Sequence, residues 1–375
     1  MSAHLVHGMG TALEAPTWPV ITPAEAEQVL AYFPEVGRLE QLSWHSPRPF
    51  SAATLAWTDG GQFVLKRHHP RLRSPAALAE EHAFMAHLRT AGVSVPQVMM
   101  AHDHASAMAL GGWTYELHRR APGLDLYRDR PSWTPFLSHD HAFAAGVALA
   151  RLHLAARGYA GATRAPHPLV ASFTIVPAAN PLLAAAAYTQ ARPALARFLD
   201  GKPWRPELDR LFAKLADGLA DRLRNQAQLW THNDWHPSNL LWSASGEVST
   251  IFDFGLATRT CALHDLATAI ERTTVAWLDF SEGNPNPSVD VEAARRLLAG
   301  YQTILPLQAD EIGTIVRLLP LVHLEFALSE VDYFAGILDD AAQAELAWQG
   351  YALDHAQWFL SPPGTTFLRQ LEAAF

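Results

Sequence analysis

The segment Thr231-His232-Asn233-Asp234-Trp235-His236-Pro237-Ser238-Asn239, with Asp253-Phe254-Gly255 downstream, holds the chemistry-bearing residues of this chain. A carboxylate, an amide oxygen and a second carboxylate stand at spacings suited to metal-assisted phosphoryl transfer. Asp234 can orient an attacking hydroxyl, while Asn239 and Asp253 can hold Mg2+ against a triphosphate. The chain has 19 His but only six Asn. At that composition H-x-D-x-x-x-x-N arises by accident in roughly one such chain in fifty, and a correctly placed D-F-G makes coincidence much rarer.

The elements around these residues have to bring them together. Leu240-Leu241-Trp242 and Glu247 to Phe252 read as two short apolar strands about the turn signal Ser243-Ala244-Ser245-Gly246. Asn239 and Asp253 flank the two strands, so a hairpin sets them side by side as two oxygen ligands for a hard cation. Asp234 then sits in the loop entering the hairpin, where a side chain can face a substrate.

Composition sets the outer bounds. The 375 residues are 49% hydrophobic and 17% charged, enough for a substantial core in one large domain or two ordinary ones. A net charge of −9 argues against nucleic-acid binding, which leaves a basic footprint. The single cysteine, Cys261, excludes an internal disulfide framework and a multi-cysteine zinc site. The sequence shows no signal-peptide pattern and no run of about 18 apolar residues to span a membrane, which leads us to expect a cytoplasmic protein. The His pairs His68-His69, His102/His104 and His139/His141 form no H-E-x-x-H motif and read as solvated or capping residues.

Composition changes around residues 116–135, from short apolar strands to Ala/Leu-rich helical periodicity. Leu39–Trp44, Ala53–Trp57 and Gln62–Arg67 read as strands, with Asp59-Gly60-Gly61 as a hairpin signal. A helix starts at Ser74-Pro75, an N-cap followed by proline at the first helical position, and Gly92 stops it. Val98–Ala101 and Trp113–Leu117 complete the expected sheet. The second half reads as helices over 263–277, 289–301, 310–334 with a break near Pro320, and 341–359. Stripes at Phe143, Val147, Ala150 and Leu154 and at Leu208, Leu211, Leu215 and Leu219 mark two more, and Asn284-Pro285-Asn286-Pro287 marks a loop.

Lys66 on the third strand, Glu81 on the next helix, the His232–Asn239 loop and Asp253-Phe254-Gly255 together resemble the aminoglycoside phosphotransferase and choline kinase family, which includes bacterial homoserine kinases. The resemblance covers residues 35–330. It implies an α+β, protein-kinase-like fold: a five-stranded antiparallel lobe with one helix (residues 1–116), a hinge, and a larger helical lobe (117–375). ATP and Mg2+ are then expected in the cleft between the lobes.

By the same resemblance, Lys66 contacts the phosphates while paired with Glu81, and backbone groups of Glu116, Leu117 and His118 meet adenine. Asp234 aims the acceptor hydroxyl, Asn239 and Asp253 bind Mg2+, His232 braces its loop, and Asp265 holds the loop's backbone. Asn233 and Trp235 are expected to shape the acceptor pocket. Neither G-x-G-x-x-G nor G-x-x-x-x-G-K-[ST] is present, which leaves the Ser46–Ser51 loop to cover the phosphates.

A helical pattern resumes about ten residues after Gly255 and no A-P-E follows, so little platform exists for a polypeptide acceptor. The expectation is a small-molecule alcohol: an amino alcohol, a hydroxy amino acid or an amino sugar. Glu271, Arg272, Asp279, Glu325, Glu330 and Asp332 are candidate acceptor contacts, as are Trp277, His323 and Tyr333. The alternatives weighed are a pseudokinase-like nucleotide-binding module, a protein kinase and a purely structural helical protein. The oligomeric state stays open.

Overall fold

The structure is a computed structural model that describes residues 4–10, 12–281, 283–284 and 286–374. Its small lobe is a five-stranded antiparallel sheet in the order β1-β2-β3-β5-β4. These strands are β1 Leu39–His45, β2 Ala52–Thr58, β3 Gly61–His68, β4 Met108–Leu110 and β5 Trp113–Arg119. Three were expected nearly to their ends. The edge strand was not: Met108–Leu110 takes the place foreseen for Val98–Ala101, which contributes only the bridge Val98 to His118. The cause is Gly111-Gly112. Both glycines have positive φ (58° and 85°), the backbone a two-residue hairpin turn requires, so Met108–Leu110 folds straight back onto β5.

Two helices rather than one flank this sheet. Helix α1, Pro23–Leu30, opens with a capping box in which Thr22 and Glu25 satisfy each other's backbone amides, and it buries Ala26, Val29 and Leu30. Helix α2, Pro75–Thr90, is capped by Ser74 as expected. Its Phe84, Met85 and Leu88 pack into the core of the large lobe, whereas α1 belongs to the separate small-lobe core with Phe63, Leu65 and Leu117. The expected lobe junction at 116/117 falls inside β5, which runs on to Arg119.

In the large lobe, helix α3 is His139–Ala156. Its buried face includes Ala142, Ala145, Leu149 and Leu152; of the expected stripe Ala150 is buried, Phe143 and Val147 are half-buried, and Leu154 is 49% exposed. Four short strands follow: β6 Gln228–Thr231, β7 Leu240–Trp242, β8 Val248–Ile251 and β9 Thr258–Cys261. Strands β7 and β8 form the foreseen hairpin, with Leu240 opposite Ile251. Strands β6 and β9 pair in a second ladder that the sequence reading did not foresee.

Helix α4, Ala262–Thr274, ends three residues short of expectation, and α5 is Val291–Gln302. The helix Ala309–Leu318 stops before Pro320, as anticipated, and α6, Leu324–Tyr333, resumes after it. The expected loop at 284–287 includes Pro285, which lies outside the described residues. A last helix, Pro362–Glu372, capped by Ser361, was missed.

Helices α3 and α5 cross at two glycines. A Cβ on Gly146 would stand 1.9 Å from the Leu297 carbonyl oxygen, and one on Gly300 would stand 2.0 Å from that of Phe143. Only glycine permits so close a crossing. It sets Tyr301 against His153, and from there a hydrogen-bond chain runs toward the Asp234 loop.

Candidate active site

The loop between β6 and β7 is held from below. His153 Nδ1 lies 2.9 Å from the Tyr301 hydroxyl and its Nε2 lies 3.0 Å from Asp265 Oδ2. Asp265, on α4 and fully buried, accepts the amides of His232 (2.9 Å) and Asn233 (2.7 Å). Burial alone would raise this carboxyl, but the His153 and His232 hydrogen bonds hold it below the ordinary range. Asn233 has φ of 59°, a left-handed backbone that asparagine tolerates, and its side chain bonds Thr231 and Thr260. Asn233 and Trp235 are buried at 2% and 0% exposure, so both chiefly brace the loop. His232 ties the loop to the hairpin: its Nε2 is 3.0 Å from the Phe252 carbonyl, and its Nδ1 accepts the Asp234 amide at 3.2 Å. Burial lowers the pKa of this imidazole.

The hairpin then brings its two flanking residues together, with the Phe252 amide bonded to the Asn239 carbonyl at 3.1 Å. Asn239 Nδ2 donates to both Asp234 Oδ2 and the Asp234 carbonyl at 3.0 Å, which leaves its Oδ1 for another partner. Asp253 also has a left-handed backbone, φ 61°. The next residue, Phe254, packs between His232 and Phe84 of α2, so the loop is keyed to that helix.

Lys66 reaches the same place from β3. Its Nζ is 3.6 Å from Asp253 Oδ1 and 3.8 Å from Glu116 Oε1. Burial opposes its charge, but Asp253, Glu116 and Glu81 together raise the Lys66 pKa above its ordinary value. Lys66, Asp234, Asn239 and Asp253 all line one cavity of about 180 Å³.

Two expectations need correction. The Lys66–Glu81 ion pair is not formed. Glu81 pairs instead with Arg164 at 3.2 Å, and Arg164 Nη1 donates to the carbonyls of Gly255 (3.0 Å) and Ala257 (3.2 Å). The carboxylate facing Lys66 from within the sheet is Glu116, its direct cross-strand neighbour on β5. His68 Nε2 (2.9 Å), His82 Nε2 (2.7 Å) and His118 Nε2 (2.9 Å) surround Glu116. Burial would raise Glu116, but His118 and Lys66 drive it well below the carboxylate range.

The second correction concerns adenine. Residues 116–118 are committed to the sheet: Glu116, Leu117 and His118 stand opposite Lys66, Leu65 and Val64, and the Leu117 carbonyl accepts the Met99 amide at 2.8 Å. The connecting segment begins only beyond Arg119.

The structure adds residues that the sequence reading did not place here. Arg48, in the Ser46–Ser51 loop, lines the cleft, where burial lowers its pKa against the opposing pull of Asp125 and Asp253. His236 Nε2 is 3.4 Å from Asp234 Oδ1, and burial drives its pKa down to about 3. The lone arginine of the Ser46–Ser51 loop was the available signal for Arg48, and for His236 it was its place within the Thr231–Asn239 segment.

The candidate acceptor contacts separate clearly. The Arg272 guanidinium pairs with Asp234 and lies between Trp133 and Phe326, 5.1 and 5.0 Å from their ring centroids. Glu330 also lines the cleft and is fully buried, with neither carboxylate oxygen hydrogen-bonded among the described residues. Glu325 is structural, accepting the amides of Thr174 (2.8 Å) and Ile175 (2.6 Å). Asp332 accepts the Leu195 amide at 3.2 Å. Trp277, His323 and Glu271 lie apart from the cleft, as does Asp279, while Tyr333 packs on Phe50 with ring centroids 5.3 Å apart. The thiol of Cys261 is buried and pushed up to about 11, unfit for nucleophilic work.

Glu330 gives a pH signature. Burial raises its pKa to about 8, against the opposing pull of Arg272. Between the ordinary carboxyl value and 8 the folded protein keeps a proton that the unfolded chain releases, so this residue costs stability as pH rises through that window. Thermal melts at pH 5 and pH 8 are expected to show Glu330→Gln gaining on wild type by on the order of 2–4 kcal/mol across the interval. A constant difference between the two pH values would remove the assignment.

The sequence profile described as the phosphotransferase enzyme family matches residues 49–307. Homoserine kinase of Gluconacetobacter diazotrophicus is 29% identical over 257 residues, 67% of this chain and 68% of that protein. Homoserine kinase of Xanthobacter autotrophicus is 25% identical over 83% of this chain and 86% of that protein. Among solved structures, an aminoglycoside phosphotransferase of Alicyclobacillus acidocaldarius covers 95% of this chain and 98% of its own, with a TM-score of 0.54 at 18% identity. An amicoumacin kinase, solved in complex with AMP-PNP, Ca2+ and Ami, covers 93% of each chain with a TM-score of 0.56 at 15% identity. Both support the two-lobed kinase-like fold. No helix among the described residues is long and apolar enough to cross a membrane.

Proposed function

Because the chain belongs to the phosphotransferase enzyme family, a group of enzymes that act on hydroxyls, we propose that it transfers the γ-phosphate of ATP to a small-molecule alcohol. The acceptor is an amino alcohol, a hydroxy amino acid such as homoserine, or an amino sugar. One observation carries this reading: Lys66, Asp234, Asn239 and Asp253, drawn from both lobes, line the same cleft.

Asp234 accepts a hydrogen bond from the acceptor hydroxyl and aims its oxygen at the phosphorus. Asn239, bonded to Oδ2, and Arg272, paired with Oδ1, hold the carboxylate in one orientation. The donor set fits Mg2+, since Asn239 Oδ1 and the Asp253 carboxylate are hard oxygens on adjacent backbone. When bound, the ion neutralises charge developing on the phosphates. Lys66 and Arg48 supply cations to phosphate oxygens, Arg48 standing in for the absent glycine-rich loop. Arg272 offers a cation and the protonated Glu330 a neutral hydrogen-bonding group to a polar acceptor, and the homoserine kinase relatives make homoserine the first acceptor to try. With ATP as donor, the cytoplasm is the expected compartment.

A pseudokinase reading is disfavoured because all four residues are present. A protein-kinase reading is disfavoured because only residues 256–261 separate Gly255 from α4, too few to seat a polypeptide. The decisive assay follows label from ATP into homoserine, other amino alcohols and aminoglycosides. Failure to label any alcohol would overturn the proposal.

Glu116 is assigned as the residue that anchors Lys66. Glu116→Gln is expected to lower kcat/KM for ATP about tenfold, the worth of one charge-assisted contact, while Glu81→Gln has a smaller effect. Steady-state kinetics with ATP varied would check this, and the reverse order would restore the helix glutamate to that role.

A further inference from the structure

Beneath the cleft, three helical segments bring together Glu271 of α4, His323 just before α6, and His355 at the start of the segment His355–Trp358. Their exposures are 2%, 5% and 3%. One carboxylate oxygen and one ring nitrogen from each imidazole all lie within 4.8 Å of one another, and His355 Nδ1 is 3.5 Å from Glu271 Oε1. A tetrahedral ion with bonds of ~2.1 Å spaces its ligands about 3.4 Å apart. The His355–Glu271 pair already has nearly that spacing, and the remaining separations stay within 4.8 Å.

Two further observations point to a ligand. His323 has neither ring nitrogen hydrogen-bonded among the described residues, although buried polar groups are nearly always satisfied. A cavity of about 10 Å³ adjoins Glu271 and His323, with Ser172, Asn233 and Thr268 in its wall, large enough for about one water. Trp277 stacks on His355 at 3.9 Å and fixes the plane of its ring.

We propose that Glu271, His323 and His355 form a divalent transition-metal site, with Zn2+ the best-matched ion and a water from the adjoining cavity as fourth ligand. Two imidazoles and a carboxylate suit a borderline ion better than Mg2+ or Ca2+, which take oxygen shells. The cation offsets the charge of the buried Glu271. It also ties together the three segments behind Arg272, the next residue in the chain and the partner of Asp234. The site is distinct from the Asn239–Asp253 pair.

The test uses the full chain, stripped with chelator and shown folded by circular dichroism, and titrated with Zn2+ alone and with Co2+ alone. One tight equivalent is expected, with the intense visible absorption of four-coordinate Co2+ and a raised melting midpoint in Zn2+. Glu271→Gln and His323→Ala should each lose that equivalent. His82→Ala should keep it, which separates this site from the other close His/Glu group, His82, Glu116 and His118. Failure of the wild type to bind either ion overturns the proposal even if the variants do not fold. So does an equivalent that disappears in His82→Ala, or one that persists in both Glu271→Gln and His323→Ala.

Discussion

Asp234→Ala is expected to lower kcat about 10²–10⁴-fold, the range associated with losing a positioned acid–base group, with ATP affinity within a few fold of wild type. The side chain touches Asn239, His236 and Arg272, not Lys66 or Asp253, so nucleotide contacts should survive its removal. A second effect accompanies the first. Arg272 is 2% exposed, and without Asp234 its charge is left buried beside a largely protonated Glu330. Breaking such a pair costs about 3 kcal/mol, so Asp234→Ala should also melt earlier. Adding Arg272→Met removes the orphaned charge and should recover much of the stability while leaving turnover low. Kinetics and melts on both variants separate the two roles. Wild-type turnover in folded Asp234→Ala would end the assignment, and recovery of turnover in the double variant would mean that lost stability alone explained the defect.

Asp253→Asn should affect the nucleotide and the reaction together. Asparagine tolerates the positive φ at this position, so the backbone is preserved while the anionic oxygen near Lys66 is lost. A metal-assisted charge effect is worth several kcal/mol, so kcat/KM for ATP should fall about 10³-fold, with a higher Mg2+ requirement. Titrating Mg2+ at fixed ATP reads this directly. A variant whose Mg2+ dependence matches wild type would remove Asp253 from the metal site. The contrast with Asp234→Ala is informative because the residues share one cavity yet are assigned to opposite substrates.

Local patterns in the chain were enough to set the two proposed metal-binding residues side by side. The β7–β8 hairpin is specified by alternating short apolar runs around a Ser/Gly turn, and hairpin geometry places Asn239 near Asp253 whatever the rest of the fold does. The helix at Ser74-Pro75 and the break at Pro320 were equally legible, because capping and proline act over a few residues. Signals of the same kind were overlooked at Thr22–Glu25, at Gly111-Gly112 and at Ser361-Pro362.

What no local pattern contains is the choice of partner for a buried charge. Lys66 has two candidate glutamates, and cross-strand register puts Glu116 opposite it while Arg164, 83 residues from Glu81 in sequence, takes Glu81. Arg272 and Asp234 are separated by 38 residues, and the structure pairs them only because Asp265, on the same helix as Arg272, holds the loop that carries Asp234. The amino-acid order by itself determined the candidate site residues and their spacing, since these depend on short-range backbone geometry. Tertiary packing decided which charges are neutralised and by whom, since a desolvated ion settles on whichever counter-charge the fold brings within a few ångströms.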